Sequence, residues 1–245
     1  MKLVVDIGNS FSKLAVFEND DIIDFQIVER LDISYLKSII LKFPKITSSI
    51  VSSVAKHDEH IFDILNKQGT TIELTHGTIV PFTNSYSTPR TLGKDRIAIA
   101  SAAVTLYPGK NVLVIDIGTC VTYDLILSQG EYLGGGISPG LEMRFKSLNN
   151  FTHGLPLVSL QECSPEIELV GNSTSKSIIS GVINGLQLEV EHTINQYKMR
   201  YNPLITVISG GDYKYFEKLV KSNIFATPNI VVRGLKNILD FNEKD

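Results

Sequence analysis

A segment near the start of the chain recurs in its middle. Residues 3–16 read LVVDIGNSFSKLAV, and residues 113–126 read LVIDIGTCVTYDLI. In each copy an apolar run of strand type leads to Asp-Ile-Gly and a small polar residue, and a second strand-like run follows. Asp6 and Asp116 stand 110 residues apart. A period this long excludes a solenoid repeat and indicates a duplicated domain.

The predicted elements follow the same order in two comparable halves, 1–110 and 111–245. Each half reads as three strands followed by helix, strand, helix, strand and helix. The longest predicted helix covers about 174–199, and a strand at 229–232 precedes a last helix near 234–241. Short links between the first three strands favour an antiparallel meander, and the later units add parallel strands. We therefore expect two α/β domains, each a mixed five-stranded sheet flanked by helices, with the site in the cleft between them.

Composition narrows the class of protein. A chain of 245 residues with 43% hydrophobic residues can form a core without disulfides or metals. The net charge of −3 argues against nucleic-acid binding, and no apolar run approaches the length of a membrane span. Asp6 interrupts the first apolar run too early for a signal peptide. Cys120 and Cys163 have no metal-binding spacing, which favours a reducing compartment. We expect a cytoplasmic protein with neither nucleic-acid nor membrane partners.

Both Asp-Ile-Gly segments are candidate phosphate-binding turns. Gly8 and Asn9 tolerate the backbone angles of a tight turn, whose N–H groups can point at an anion. Ser10 and Ser12 add hydroxyl donors, and Lys13 adds a cation. One such turn alone is commonly only a hairpin, but two copies favour a nucleotide with Mg²⁺, which needs few protein carboxylates. The sequence contains no P-loop, protein-kinase or dinucleotide motif.

Eight segments of the chain resemble type III pantothenate kinases, which belong to the acetate/sugar kinase, Hsp70 and actin superfamily. The resemblance implies two ribonuclease H-like (actin-like ATPase) domains. It also implies ATP-dependent phosphorylation of pantothenate to 4'-phosphopantothenate, the first step of coenzyme A biosynthesis, by a homodimer with its active site at the subunit interface. The segments are DIGNSFSK (6–13), SSVA (52–55), LGKDR (92–96), VIDIGTCVTYD (114–124), GGGISPGLEM (134–143), LPLV (155–158), GNSTSKSIISG (171–181) and ISGG (208–211).

The resemblance assigns residues to ATP and to cations. Asp116 corresponds to the ligand of a monovalent cation, K⁺ or NH₄⁺, and ATP is expected to bind with Mg²⁺. A bound cation stabilises phosphate charge directly. The residues implied to bind ATP are Asp6, Ile7, Gly8, Asn9, Ser10, Phe11, Ser12, Lys13 and Thr119.

The family's Gly-x-Asp-Arg motif is present at 93–96. It implies that Asp95 is the general base, and a carboxylate at the start of a helix can accept a hydroxyl proton during phosphoryl transfer. Arg96 is suited to hold the substrate carboxylate through two parallel hydrogen bonds. The residues implied to contact substrate are Tyr86, Gly93, Lys94, Asp95, Arg96 and, from the other subunit, Thr174.

Simpler interpretations exist for these residues. Asp95 can be a helix N-cap followed by a surface arginine, Tyr86 an exposed loop residue and Thr174 an N-cap. At the level of function, the alternatives are a non-catalytic regulatory or accessory protein of the same fold, or a kinase for another small hydroxylated acceptor. The intact Gly-Lys-Asp-Arg segment and the two Asp-x-Gly turns favour the pantothenate kinase.

Overall fold

The chain folds into two compact units. The computed structural model describes residues 1–8, 11–55, 58–160, 167–217 and 224–243. The first unit combines Met1–Pro108 with Gly130–Tyr132 and Asn229–Asp245, and the second combines Gly109–Gln129 with Leu133–Pro228. The last helix therefore groups with the first unit, whereas the predicted halves assign it to the second.

The elements up to residue 108 are six strands, three α-helices and a short 3-10 helix in the described ranges. In chain order they are β1 (Lys2–Ile7), β2 (Ser12–Glu18), β3 (Asp21–Val28), α1 (Ile33–Lys42), β4 (Ser48–Ser53), α2 (His60–Asn66), β5 (Thr70–Glu73), β6 (Thr83–Asn84), the 3-10 helix (Pro89–Thr91) and α3 (Lys94–Leu106).

The elements after residue 108 begin with the second copy of the repeated segment. In chain order they are β7 (Asn111–Ile117), β8 (Cys120–Ile126), β9 (Glu131–Pro139), α4 (Leu141–Asn150), α5 (Thr174–Arg200), β10 (Leu204–Ser209), α6 (Lys214–Glu217), β11 (Ile224–Ala226) and α7 (Ile230–Asn242). No helix in the described ranges has the length and apolar character that crossing a membrane requires.

The two sheets share one topology. The first has the order β3-β2-β1-β4-β5, and the second contains the matching order β9-β8-β7-β10-β11. In each sheet the central strand runs antiparallel to the strand that follows it in the chain and parallel to its neighbour on the other side. Thus β1 is antiparallel to β2 and parallel to β4, and β7 is antiparallel to β8 and parallel to β10. The prediction of mixed sheets flanked by helices is confirmed. The second sheet has a sixth strand, since β6 pairs with the first residues of β9.

The residues of strand β1 point alternately to the two faces of the first sheet. Its alternate residues Leu3, Val5 and Ile7 form a buried cluster with apolar side chains of α1 and α2. Because successive side chains of a strand point to opposite faces, Asp6 lies on the other face. Helix α7 contacts β1 there and packs against α3. This second layer brings the start of α3 to the face that carries Asp6.

Helix α3 is buried nearly all round. Each of its residues 96–103 is buried, and most are alanine, isoleucine or serine, so a second helix can approach closely. Gly234 of α7 makes this approach, because a Cβ built on it would lie 1.8 Å from the carbonyl oxygen of Ala98. The α3–α7 layer therefore depends on a backbone contact that only glycine permits.

The second unit has its core between the second sheet and helices α4 and α5. Leu113, Ile115 and Ile117 of β7 join Phe145 of α4 and Leu186 of α5 in one buried cluster. The long predicted helix is confirmed over Thr174–Arg200. Its buried residues recur every three or four positions, so one stripe of the helix supplies the packing; they are Ile178, Ser180, Val182, Ile183, Leu186, Val190 and Ile194.

Two details of the predicted element order are wrong. Residues 230–232 are the first turn of α7 rather than a strand, and the strand of this region is β11, earlier in the chain. The sequence pattern does not predict helix α4. The sequence also predicts a helix near 212–221; the structure describes α6 in this region, and residues 218–221 lie outside the described ranges.

Replacing Gly234 by Ala should destabilise the protein by about 2 kcal/mol or more, because the added methyl group overlaps the Ala98 carbonyl and must push α7 off α3. Urea unfolding measures the change. The matched control is Gly185→Ala in α5, where a Cβ meets no atom within 4 Å. The control should be neutral or stabilising by up to about 1 kcal/mol. Equal stability of the two variants would contradict the packing described here.

Candidate active site

The first phosphate-turn candidate closes directly after β1. The N–H of Gly8 donates to the carbonyl oxygen of Phe11 at 3.0 Å. A Cβ on Gly8 would lie 2.8 Å from that oxygen, so glycine is required for the turn. Phe11 is half-exposed. Asn9 and Ser10 lie outside the described residues.

The predicted ATP contacts of this segment divide between two faces of the sheet. Ile7 and Ser12 are opposite each other and buried, and with Gly8 they line a pocket of about 780 Å³ in the first unit. Asp6 and Lys13 form the next pair along the ladder and therefore occupy the other face. The structure thus brings a carboxylate and an ammonium group side by side and directs the Ser12 hydroxyl elsewhere.

The pKa of Asp6, at the end of β1, is shifted by its neighbours. Burial raises the pKa of its carboxyl group, and the negative charge of Asp95 raises that pKa further. Lys13, opposite it on β2, and Ser52, opposite it on β4, lower the pKa. Asp95 is far from Asp6 in sequence, yet the two carboxyl groups interact. The charge of the predicted base therefore acts on the carboxyl group at the end of β1.

Asp95 occupies the first turn of α3. Its Oδ1 accepts a hydrogen bond from the backbone N–H of Arg96 at 2.9 Å, and its side chain is exposed. Gly93 is the N-cap residue, so the interpretation of Asp95 as the N-cap is wrong. A Cβ on Gly93 would lie 2.3 Å from Asp95 Oδ1, and the glycine therefore leaves room for this carboxylate. Nearby, the ammonium group of Lys94 is 3.8 Å from a carboxylate oxygen of Glu73.

Arg96 is a buried residue rather than a surface arginine. Only 4% of it is exposed. Its guanidinium carbon lies 5.7 Å from the ring centroid of Tyr86 and 6.0 Å from that of Tyr132. The alternative of a capping aspartate followed by a surface arginine is therefore excluded at both residues. Tyr86 is half-buried against the same arginine, so it is not a fully exposed loop residue.

The second turn reproduces the arrangement of the first with a different neighbour. Asp116 lies opposite Thr122 on β8 and Ser209 on β10, as Asp6 lies opposite Lys13 and Ser52. The Thr122 hydroxyl donates to a carboxylate oxygen of the buried Asp124 at 2.9 Å. Thr119 is exposed in the turn. Where the first turn presents an ammonium group, the second presents a hydroxyl oxygen.

Two glycines from distant segments hold the second turn. A Cβ on Gly140 would lie 2.0 Å from the carbonyl oxygen of Gly118, and one on Gly210 would lie 2.1 Å from that of Ile117. Gly210 also has a φ of 100°, in the left-handed region that favours glycine. Asp212 follows, and its N–H donates to the Ile117 carbonyl at 3.0 Å. The segments GGGISPG and ISGG, weak as motifs, therefore build this turn.

Thr174 is the first residue of α5 and is exposed. The N-cap is Ser173, whose hydroxyl accepts from the N–H of Lys176 at 3.3 Å, so the interpretation of Thr174 as the cap is wrong. Thr174 lines an open groove of about 530 Å³ between α4 and α5 in the second unit, together with Arg144 and Gly181. Thr174 therefore lines a groove and does not cap the helix.

Comparison with known proteins identifies the family. The model of type III pantothenate kinases matches residues 2–196. A type III pantothenate kinase from Christiangramia forsetii is 46% identical over 244 residues, which cover 99% of this chain and 99% of that protein. The chain belongs to the type III pantothenate kinase family.

Solved structures support the fold. A crystal structure from Campylobacter jejuni, provisionally described as a Baf family transcriptional activator, matches with a TM-score of 0.61 at 22% identity and covers 99% of this chain and 100% of that chain. A ROK hexokinase from Thermus thermophilus matches with a TM-score of 0.53 at 10% identity and covers 98% and 99%. At these identities the likeness concerns the fold alone, and it confirms the expected actin-like ATPase fold.

The donor set of the kinase's first turn fits the divalent metal that the family implies. Among the described residues, no cluster of three histidine, cysteine, aspartate or glutamate side chains could hold a metal. Mg²⁺ needs only one or two carboxylates when phosphate oxygens and water complete its shell. The Asp6 carboxyl group, with its raised pKa, gains from a nearby cation, because positive charge stabilises its ionised form. At the second turn, the carboxylate of Asp116 stands beside hydroxyl-bearing neighbours, which are hard oxygen ligands.

Asp212 is a second carboxyl group whose pKa is raised. Burial and the charge of Glu142 raise its pKa to about 6. The folded state therefore binds a proton more tightly than the unfolded state, and this carboxyl group destabilises the fold as pH rises from about 4 to 6.

The variant Asp212→Asn should be more stable than the wild type by roughly 1–2 kcal/mol at pH 7, after allowance for solvent screening, and the gain should vanish below about pH 4. Urea unfolding at several pH values without ligands measures it. Glu191→Gln, at a partly exposed position of α5, controls for the loss of one negative charge. A stability difference that is the same at pH 4 and pH 7 would contradict the assigned burial of Asp212.

Proposed function

We propose that the chain transfers the γ-phosphoryl group of ATP to the terminal primary hydroxyl of pantothenate, giving 4'-phosphopantothenate for coenzyme A biosynthesis, with Asp95 as general base. Membership of the type III pantothenate kinase family supports the activity and its use of ATP with a divalent metal. The observation that supports the base is the interaction of Asp95 with Asp6 at the end of β1.

The proposed reaction needs one proton acceptor. The pantothenate oxygen attacks the γ-phosphorus, the bond to the β,γ-bridging oxygen breaks, and the hydroxyl proton passes to a carboxylate oxygen of Asp95. Asp95 is suited to this step because it is exposed at the start of a rigid, buried helix. Mg²⁺ would neutralise charge on the phosphates. The protein otherwise contributes positioning and electrostatic stabilisation, which dominate phosphoryl transfer.

Arg96 is proposed to bind the pantothenate carboxylate. A planar guanidinium group binds a carboxylate through two parallel hydrogen bonds, and Arg96 is already held against Tyr86 and Tyr132. Low exposure strengthens the attraction between the charges. Tyr86, Gly93 and Lys94 belong to the same proposed substrate site.

ATP is proposed to bind through the two turns. Backbone N–H groups and Lys13 of segment 6–13 would contact phosphate oxygens, and so would the exposed hydroxyl of Thr119. Asp116 is proposed as the ligand of K⁺ or NH₄⁺, which would offset phosphate charge at the second turn. The family resemblance further supports a cytoplasmic homodimer in which Thr174 contacts the substrate of the neighbouring subunit.

The replacement Asp95→Asn should lower kcat at least ~100-fold, because an amide cannot accept the hydroxyl proton. Phosphate transfer from ATP to pantothenate, with Mg²⁺ and K⁺ present, measures the effect. Asp63→Asn, at an exposed position of α2, is the control and should keep wild-type turnover.

The wild-type protein in the same assay tests the whole proposal. Transfer to glucose or N-acetylglucosamine instead of pantothenate would indicate a kinase for another acceptor, and no transfer to any acceptor would indicate a non-catalytic protein. Near-wild-type turnover by a folded Asp95→Asn variant would remove Asp95 from the role of base while leaving the activity in place.

The replacement Asp116→Asn should raise the K⁺ concentration needed for half-maximal activity at least about 10-fold, since the neutral amide attracts a cation less than the carboxylate does. Titration of activity with KCl at constant ionic strength measures it. Glu191→Gln should leave the K⁺ titration unchanged. A K⁺ curve for Asp116→Asn identical to that of the wild type would contradict the cation assignment.

A further inference from the structure

A tyrosine outside the predicted site residues connects two of the proposed substrate contacts. Tyr132 of β9 is fully buried and is among the largest buried side chains. Its ring centroid is 6.2 Å from that of Tyr86 and 6.0 Å from the guanidinium carbon of Arg96. One interior side chain therefore contacts both residues proposed to hold pantothenate.

The surroundings of Tyr132 keep its ring in one place. Its carbonyl oxygen accepts from the N–H of Ser85 at 3.0 Å, and Asn84 is its partner in the β6–β9 ladder. The ring of Phe82 meets that of Tyr132 nearly edge-on, with 6.0 Å between the centroids. Tyr86 follows this ladder in the chain, and its N–H donates to the side-chain oxygen of Asn84 at 3.0 Å. The loop that leads to Gly93 is thus fastened to β9 at Tyr132.

The contact with Arg96 has an electrostatic reason. A guanidinium group is attracted to the faces of aromatic rings, and this attraction is stronger when water is excluded. An arginine with free rotamers loses conformational entropy when it binds a ligand, whereas an arginine already held in place loses less. The rings of Tyr86 and Tyr132 hold Arg96 at a position that is only 4% exposed.

We infer that Tyr132 is a positioning residue for the acceptor substrate. Its ring holds the guanidinium group of Arg96 and the ring of Tyr86 in the orientation that binds the pantothenate carboxylate. This inference rests on the proposed function, in which Arg96 binds that carboxylate. Tyr132 should therefore affect the binding of pantothenate and leave ATP binding and the phosphoryl-transfer step largely untouched.

The replacement Tyr132→Leu should raise KM for pantothenate roughly 10-fold, because it removes the aromatic face from Arg96. The KM for ATP and kcat should change less than about 3-fold. Tyr132→Phe keeps the ring and should restore KM for pantothenate to within about 3-fold of the wild type. If thermal unfolding shows that the leucine variant is not folded, Tyr132→Met, whose unbranched and flexible side chain fills irregular gaps better, replaces it.

Two further variants separate positioning from general packing. Phe82→Leu removes an aromatic neighbour of Tyr132 and should raise KM for pantothenate less than Tyr132→Leu does. In an Arg96→Lys background, Tyr132→Leu should add little to KM, because residues that act through one another are not additive.

The outcomes distinguish this inference from the proposed function. If Arg96→Lys raises KM for pantothenate but Tyr132→Leu leaves it unchanged, or adds its full effect in the double variant, Tyr132 has no positioning role and the proposed function stands. If Arg96→Lys itself leaves KM for pantothenate unchanged, the proposed role of Arg96 fails, and the inference fails with it.

Discussion

Two carboxyl groups of like charge, Asp6 at the end of β1 and Asp95 at the start of α3, interact in the first unit. Burial already raises the pKa of Asp6, and Asp95 raises it further, so this region favours positive charge. Lys13 supplies part of that charge from the neighbouring strand. A nucleotide that arrives with a metal ion would supply more. In the proposed function, this interaction links the proton acceptor to the turn that contacts the phosphate groups, as a phosphoryl-transfer site requires.

The duplicated fold produces two turns with related geometry and different chemistry. In each unit, an aspartate on the central strand has a serine opposite it on the parallel neighbour, Ser52 for Asp6 and Ser209 for Asp116. The antiparallel neighbour differs, since it supplies an ammonium group in the first unit and a hydroxyl in the second. Glycines in both units permit close backbone approach at the turns. In the proposed function both turns contact phosphate, and only the second turn, which has a hydroxyl in place of the ammonium group, holds a monovalent cation.

The repeated segment predicts the strands and turns well because an apolar run that ends at an aspartate determines both locally. Packing between distant segments is a different matter. Residues 230–232 read as a strand because they are β-branched, yet they begin α7, where contacts with α3 and β1 outweigh a weak intrinsic preference. The interaction of Asp6 with Asp95 depends on the packing of α3 against α7, which the local sequence pattern does not predict. In the sequence, Tyr132 is one aromatic residue in an apolar run, and nothing there predicts its contact with Arg96. That contact is visible only in the folded structure.

The most direct test of this arrangement is a measurement of the pKa of Asp6. Carbon-13 NMR of its carboxyl group gives this pKa in the ligand-free protein and in the Asp95→Asn variant. We expect the pKa of Asp6 to lie above its ordinary value in the wild type and to fall when Asp95 loses its charge, because burial remains and the repulsion disappears. An Asp6 pKa that is the same in both proteins would show that the two carboxyl groups do not interact, and the proposed base would then not lie beside the phosphate turn.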